Sequence, residues 1–360
     1  MPAATPYRLL SLLMLMGGSA AHAQAETLPT DLPALGAMPE AASVVGVSSG
    51  GYMATQLAVA WPERFSGVGV LGAGPWGCAQ GALSLALNQC MMTRRGLPSL
   101  DTLEQRHERY MALEQVGSRE ALRQLRTYVW HGDADATVSP ALGDLLAKQW
   151  QGWLAEPDEQ LRYVQRENTG HGWPVAMPKD APIDPQSLGD CHLGGGSHVL
   201  ACGDNVAADM LDWLYPERPV QESEGELRRF DQSEFAVKGL ADTGYVFVPE
   251  TCDAGGCPVT VALHGCQMND EAIGDTFARY SGLNRWAEEH GQIILYPQTE
   301  SSMANPQACW DWWGFAESTW QINPLHDTRE GTQAKALMAM VERLQEAPDA
   351  PAEESTQEAD

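Results

Sequence analysis

Residues 44–51 read Val-Val-Gly-Val-Ser-Ser-Gly-Gly, a short apolar run that ends in a Gly-x-Ser-x-Gly motif. The apolar run predicts a buried strand, and the spacing of Tyr52, Met53, Gln56 and Leu57 after it predicts a helix. Such a strand-turn-helix corner is typical of a nucleophile elbow, whose glycines allow the backbone to fold tightly back. The serine at its tip, Ser48, is therefore the candidate nucleophile.

The first residues predict export. Arg8 precedes an apolar segment from Leu9 to Met16, and small residues then form a signal-peptidase site with cleavage after Ala23, or alternatively after Ala25. This segment is shorter than the about 20 residues that span a bilayer, and no later segment is long enough. We expect a signal peptide at residues 1–23 and a mature protein that is secreted, to the periplasm or the extracellular space.

The composition is strongly acidic. The chain has 22 basic and 48 acidic residues, which gives a formal net charge of −26. This charge repels nucleic acid and anionic lipid and keeps the protein dispersed, so we expect no nucleic-acid partner, no membrane partner and a monomer. An acidic tail at residues 346–360 has no apolar period and is predicted to be disordered.

Eight cysteines follow the signal segment, and an even number in an exported chain indicates disulfide bonds. Three local pairs are geometrically favourable and leave a fourth, although sequence alone does not prove the connectivity. The candidate pairs are Cys78 with Cys90, Cys191 with Cys202, Cys252 with Cys257, and Cys266 with Cys309. The alternative is a zinc site at Cys191, His192, His198 and Cys202, whose spacing fits no common zinc motif. We therefore expect no metal, and the absence of a phosphate-binding glycine loop predicts no other cofactor.

An acid to orient the catalytic histidine is sought after the nucleophile in the chain. Residues 127–130 form a strand-like run that ends in His-Gly-Asp-Ala-Asp-Ala-Thr-Val at residues 131–138. Asp135 lies past the strand end, where its side chain can reach a neighbouring loop, and is the preferred triad acid. Asp133 is the alternative, and either aspartate could instead only shape the turn.

A further strand-like run at residues 161–165 precedes a glycine-flanked histidine, His171. It follows Ser48 and Asp135 in the order that an α/β-hydrolase requires, and is therefore predicted to be the general base and then the general acid. His192 and His198 are the competing candidates.

The strands that precede the nucleophile in an ordinary α/β-hydrolase are missing before residue 44. Strand-like runs instead appear late in the chain, at residues 244–248, 258–263 and 292–297. This order predicts a circular permutation. His-Gly-Cys at residues 264–266 would then be the oxyanion loop, with the backbone N–H groups of Ser49 and Cys266 directed at the developing oxyanion.

Four motifs in matching order resemble those of the extracellular poly(3-hydroxybutyrate) depolymerases, and more narrowly of their circularly permuted, single-domain class. They are Gly-Val-Ser-Ser-Gly-Gly-Tyr at 46–52, Leu-His-Gly-Cys-Gln at 263–267, Tyr-Pro at 296–297 and Cys-Trp-Asp-Trp-Trp at 309–313. The likeness extends to about Leu344. It implies a triad of Ser48, Asp135 and His171 and an oxyanion hole formed by Ser49 and Cys266. Many bacterial members add a linker and a polymer-binding domain; we expect neither here, and hence weak retention on polymer.

A cluster of tryptophans follows the last of these strands and predicts an apolar substrate crevice, because rigid indoles pack well against a methyl-bearing polyester. The candidates are Trp310, Trp312, Trp313 and Trp320. Trp310 is preferred, because a Cys266–Cys309 bond would bring it beside the oxyanion loop and because a tryptophan of this motif lines the crevice in the family that the chain resembles. The segment from Gly77 to Tyr110 either caps the cleft or is an ordinary excursion.

The predicted fold is a circularly permuted α/β-hydrolase with a mostly parallel central sheet flanked by helices. We expect one catalytic domain at residues 24–345, with a nucleophile half at about 40–215 and an oxyanion-loop half at about 226–345. The predicted function is a serine esterase that cleaves poly(3-hydroxybutyrate) or related short-chain polyesters and their oligomers. The alternatives are a feruloyl or acetylxylan-type esterase and, in a different class, an inactive polymer-binding protein.

Overall fold

The computed structural model of the chain describes residues 29–176, 183, 187–221, 223–317 and 323–348. The predicted signal peptide, Trp320 and most of the predicted acidic tail lie outside these residues. Within them, no helix is long and apolar enough to cross a membrane.

The strands form one large sheet and one small one. In chain order they are β1 Thr30–Asp31, β2 Ala42–Val47, β3 Phe65–Leu71, β4 Arg126–Gly132, β5 Leu161–Arg166, β6 Trp173–Val175, β7 Val199–Ala201, β8 Gly225–Asp231, β9 Thr243–Pro249, β10 Val259–Leu263 and β11 Ile293–Tyr296. The large sheet has the order β1-β8-β9-β11-β10-β2-β3-β4-β5, and β6 pairs with β7. The pairs that β9 makes with β8 and β11 are antiparallel, and the other pairs of the large sheet are parallel.

Helices connect and cover these strands. They are α1 Ser49–Ala60, α2 Leu83–Gln89, α3 Leu100–Ala112, α4 Arg119–Leu122, α5 Pro140–Trp153, α6 Pro157–Gln160, α7 Val206–Leu214, α8 Asp270–Ile273, α9 Thr276–Tyr280, α10 Leu283–His290 and α11 Thr332–Gln345. The predicted α/β fold with a mostly parallel sheet is confirmed.

The central strands of the sheet are buried on both faces, as expected for parallel strands between helices. Every residue of β2 is buried, and alternate side chains belong to different hydrophobic clusters. Val44 packs in the cluster that holds α1 and α11, whereas Val45 and Val47 pack in the cluster that holds α7 and α10. This alternation fixes the register of β2, because a shift by one residue would exchange the two faces.

The circular permutation is visible in the strand order. β10 lies between β11 and β2, with Leu263 opposite Gly46, although it follows β2 late in the chain. The two ends of the described chain also meet, since the amide of Gly36 donates to the carbonyl of Glu346 at 2.7 Å. Because β2, β4 and β10 run parallel, the loops after their carboxyl ends lie at one edge of the sheet.

The structure forms the four disulfide bonds that the sequence predicts: Cys78–Cys90, Cys191–Cys202, Cys252–Cys257 and Cys266–Cys309. The alternative zinc site is wrong, because two of its four proposed ligands are joined in one of these bonds. Among the described residues, no group of three or more histidine, cysteine or acidic side chains could hold a metal ion.

Candidate active site

Ser48 occupies the tight turn between β2 and α1, with a φ of 57°. Few residues other than glycine adopt a positive φ, so the turn holds this serine in an unfavourable conformation. Steric crowding explains why the motif has glycines on either side of the serine, at positions 46 and 50. A Cβ on Gly46 would lie 2.3 Å from the carbonyl oxygen of Gly50, and a Cβ on Gly50 would lie 2.2 Å from that of Leu263. The motif therefore brings the serine directly against the end of β10.

The carboxylate of Asp135 lies in the loop after β4 and is almost completely buried. Its Oδ1 atom accepts hydrogen bonds from the amides of Thr137 and Val138, both at 2.8 Å, and its Oδ2 atom lies 2.7 Å from Nδ1 of His171. Burial alone would raise the pKa of Asp135, but hydrogen bonds from His131 and His171 outweigh it and hold the pKa well below its usual range. The carboxylate thus stays ionised and orients His171.

Asp133 has a different position. Its exposed carboxylate accepts a hydrogen bond from the amide of Asn168 at 2.6 Å and makes no contact with His171. It therefore ties the loop after β4 to the loop that carries His171. The geometry agrees with the preference for Asp135 over Asp133.

His171 and Ser48 both line a small cavity of about 70 Å³, which we call the catalytic chamber. Since Nδ1 of His171 is engaged by Asp135, its Nε2 is left for proton transfer with the serine. Among the competing histidines, His192 is exposed and does not line the chamber, whereas His198 does. The structure thus brings together the three residues that the sequence singled out.

Ser49 and Cys266, the predicted oxyanion donors, line a second and larger cavity that also begins at Ser48. Within the described part of the chain neither backbone amide donates a hydrogen bond to another protein group. Two free N–H groups beside a serine hydroxyl are what a developing oxyanion requires.

The oxyanion loop is held from behind by Trp310. The indole Nε1 donates to the carbonyl of His264 at 2.9 Å, and the backbone amide of Trp310 lies 3.4 Å from the Ser49 hydroxyl. The Cys266–Cys309 disulfide fastens the same loop one residue away from Trp310.

The larger cavity has a volume of about 260 Å³ and a mostly apolar wall; we call it the apolar cavity. Trp312 and Trp313 form one side, and Trp312 stacks on the ring of Tyr52 at 4.3 Å between centroids. Leu83 and Leu87 of α2 and Met91 just beyond it also line the cavity. The chamber and the cavity meet at Ser48, so an ester bound there would have both a reactive end and an apolar pocket.

The preference for Trp310 as a cavity residue is wrong. Its side chain is completely buried and lies behind the oxyanion loop, outside the wall of the apolar cavity. The inferred Cys266–Cys309 bond does bring Trp310 beside the oxyanion loop, but its side chain lies in the protein interior and not in the wall of the apolar cavity.

Sequence reasoning did not assign the α2 wall. The available signal was that Leu83 and Leu87 are apolar and four residues apart, within a segment closed by the predicted Cys78–Cys90 disulfide; the structure shows that both are about half exposed. The segment therefore forms one side of the cleft instead of an ordinary excursion.

A scan of protein-family models finds no match to this chain. A poly(3-hydroxybutyrate) depolymerase of Delftia acidovorans is 31% identical over 323 residues, which cover 87% of this chain and 61% of that protein. A polyhydroxybutyrate depolymerase of Talaromyces funiculosus is 31% identical over 340 residues, covering 89% of this chain and 94% of that protein. The chain thus spans less than two thirds of the Delftia relative and nearly all of the Talaromyces one.

Solved structures give the same result. The crystal structure of a PHB depolymerase from Penicillium funiculosum matches with a TM-score of 0.76 and 31% identity, over 88% of this chain and 98% of that one. A PHB depolymerase complexed with an R3HB trimer matches with a TM-score of 0.76, 30% identity and the same coverage. The sheet order and the serine at the elbow define an α/β-hydrolase. Within that class, the chain belongs to the poly(3-hydroxybutyrate) depolymerases, a family of carboxylic ester hydrolases.

Proposed function

We propose that this protein is a secreted serine esterase that hydrolyses poly(3-hydroxybutyrate), or related short-chain polyhydroxyalkanoates, and their oligomers. The observation that carries the proposal is the Asp135–His171 pair, which shares the catalytic chamber with Ser48 at the tip of the nucleophile elbow. A polymer-binding protein without activity has no need of this arrangement.

The proposed reaction has two halves. Oγ of Ser48 attacks the ester carbonyl while His171 takes its proton, and the resulting oxyanion accepts hydrogen bonds from the amides of Ser49 and Cys266. His171 then gives the proton to the leaving alkoxide, the ester C–O bond breaks, and an acyl-enzyme remains on Ser48. Water, deprotonated by His171, hydrolyses this intermediate and restores the serine. Asp135 remains ionised and stabilises the imidazolium in each half.

The apolar cavity supports a hydroxyalkanoate substrate. Trp312, Trp313, Leu83 and Leu87 give a wall that suits methyl-bearing repeats, and the cavity opens from the serine itself. The two curated relatives are named as depolymerases of this polymer, and one related structure is described as complexed with an R3HB trimer.

Export and organisation are part of the proposal. Four disulfide bonds favour an oxidising compartment, which the protein would reach after cleavage of the signal peptide near Ala23. Strands from both halves of the sequence build the one large sheet. We propose a monomer with a single catalytic domain at residues 24–345. N-terminal sequencing of the exported protein would test the cleavage site.

The proposed function is tested with the exported protein and its Ser48→Ala variant. A fluorophosphonate should label Ser48, and the variant should lose about 10³- to 10⁶-fold in rate while it keeps the wild-type melting temperature. The wild type should clear a turbid poly(3-hydroxybutyrate) suspension. Labelling at Ser49 would contradict the nucleophile assignment.

The substrate class needs a separate comparison. Release of ferulate or acetate from plant polymers by the wild type, without clearing of the polyester, would show a feruloyl or acetylxylan-type esterase instead. Binding to the polyester without any ester hydrolysis would show a polymer-binding protein.

A further inference from the structure

A second histidine contacts the carboxylate of Asp135. His131 lies at the end of β4, four residues before Asp135, and both side chains are buried. Its Nε2 atom is 2.9 Å from the carbonyl oxygen of Val138 and 3.2 Å from Oδ2 of Asp135. A carbonyl and an ionised carboxylate only accept hydrogen bonds, so Nε2 of His131 carries the hydrogen.

With His131 included, the Asp135 carboxylate has four donors. Oδ1 accepts from the amides of Thr137 and Val138, Oδ2 accepts from Nδ1 of His171, and the single Nε2–H of His131 is shared between the Val138 carbonyl and Oδ2. An ionised carboxylate offers about four lone-pair positions, so all of them are used. A carboxylate held by donors on both oxygens cannot rotate about its Cβ–Cγ bond without breaking several hydrogen bonds.

The remaining nitrogen of His131 shows that the residue is not there only to fill space. Nδ1 is buried and has no hydrogen-bond partner among the described residues. An unpaired buried polar atom is unfavourable, and an apolar side chain of similar size would avoid it. A polar ring is favoured at this position because its Nε2–H group donates to the Asp135 carboxylate.

The helix above His131 is shaped around its ring. Gly143 lies inside α5, where glycine is among the least favourable residues. A Cβ at this position would lie 2.5 Å from Nδ1 of His131 and 2.9 Å from its Cγ atom. The helix therefore has glycine where any larger residue would displace the imidazole.

From these contacts we propose that His131 is a positioning residue of the triad. Its Nε2–H occupies the last acceptor position of Asp135 and keeps Oδ2 directed at Nδ1 of His171, which sets the orientation of the general base. His131 touches neither substrate nor the reacting atoms. The inference rests on the proposed function, because it assumes that Asp135 and His171 work with Ser48.

The test compares two substitutions of His131 in the exported, disulfide-bonded protein, with p-nitrophenyl butyrate as a soluble substrate. His131→Phe keeps a ring but loses the donor, whereas His131→Gln retains an N–H group at about the position of Nε2. We expect His131→Phe to lower kcat by about 10- to 100-fold with little change in KM, as when a partner that orients a functional side chain is lost. His131→Gln should restore most of that loss.

A second pair of variants leaves His131 itself in place. Gly143→Ala should displace the imidazole and lower kcat, even though alanine favours the helix. Gly152→Ala is the matched control: Gly152 lies in the same helix, but a Cβ there meets nothing within 4 Å, so kcat should not change. If His131→Phe does not fold, this pair of glycine variants still tests whether His131 is a positioning residue.

Wild-type kcat in a folded His131→Phe or Gly143→Ala protein would overturn the proposal. So would a His131→Gln variant that is as slow as His131→Phe at the same melting temperature, because the donor would then be irrelevant. Failure of the wild type to clear the polyester would contradict only the proposed substrate, since the His131 comparison needs no more than hydrolysis of a soluble ester. Absence of fluorophosphonate labelling at Ser48 would instead contradict the triad on which both proposals depend.

Discussion

Asp133 and Asp135 are two residues apart, and only Asp135 contacts His171. Asp135→Asn should lower kcat by about 10⁴-fold, because a neutral amide can neither stabilise an imidazolium nor hold the required tautomer. Asp133→Asn keeps an oxygen for the amide of Asn168 and should change kcat little. Steady-state kinetics on a soluble ester will distinguish them, and the reverse order would show that Asp133 is the triad acid.

Trp313 and Trp310 belong to the same motif but face different surroundings. Trp313 lines the apolar cavity, so Trp313→Ala should lower kcat/KM for hydroxybutyrate oligomers more than for a short ester that fills only the catalytic subsite. Trp310→Phe removes the hydrogen bond to His264 and should slow both substrates equally. Measurement over a series of oligomer lengths checks this; an equal loss in Trp313→Ala would contradict its place in the wall.

Sequence alone could predict the residues whose chemistry depends on local motifs. Ser48 follows from its strand-turn-helix setting, and His171 from its order in the chain. The side on which Trp310 lies could not be predicted, because consecutive residues of an irregular loop have no period that separates the buried from the cavity-facing ones. The contribution of His131 was also missed, since its contact with Asp135 depends on how the loop after β4 turns back.

Among the elements, α2 contributes Leu83 and Leu87 to the wall of the apolar cavity, and its role can be tested with a matched pair of leucines. Leu87 lines the apolar cavity and Leu97 does not, yet both side chains are 46% exposed. Leu87→Ser should weaken hydrolysis of oligomers, whereas Leu97→Ser should leave it unchanged. Kinetics and melting temperatures measured together will check this, and equal losses in the two variants would mean that α2 does not bind substrate.

Most of the strands that could be predicted from the sequence are buried on both faces; β5 is the exception, since several of its residues are exposed. The runs at 44–47, 127–130, 161–165, 244–248, 258–263 and 292–297 all lie in strands of the large sheet, apart from residues at their ends. β8 was missed because its outer residues are charged and exposed. The pairing of β6 with β7 was missed because each has only three residues, too few to show a period.

At the scale of the whole molecule, His107 makes stability depend on pH. It is completely buried between Trp76 and Trp153, and neither ring nitrogen has a hydrogen-bond partner among the described residues. Burial lowers its pKa from 6.5 to about 4. His264, also buried, has a pKa lowered to about 4 and acts in the same direction.

Since the unfolded chain binds these protons more readily, the free energy of unfolding should be highest above pH 6.5 and fall as the pH decreases towards 4. His107 alone should account for about 3 kcal/mol of this loss. His107→Phe should therefore reduce the fall, and a substitution of the exposed His192 should not. Urea unfolding at several pH values measures this, and an unchanged slope in His107→Phe would contradict it.

The permuted strand order has a consequence for protein synthesis. Ser48, Asp135 and His171 leave the ribosome before β10, which lies beside the nucleophile strand in the finished sheet. At about 5–20 residues per second, roughly 7 to 28 s separate His171, the last residue of the proposed triad, from Cys309, whose disulfide fastens the oxyanion loop. A nascent chain in this interval carries the whole proposed triad but lacks a complete oxyanion hole, so hydrolytic activity has to wait until most of the protein has been made.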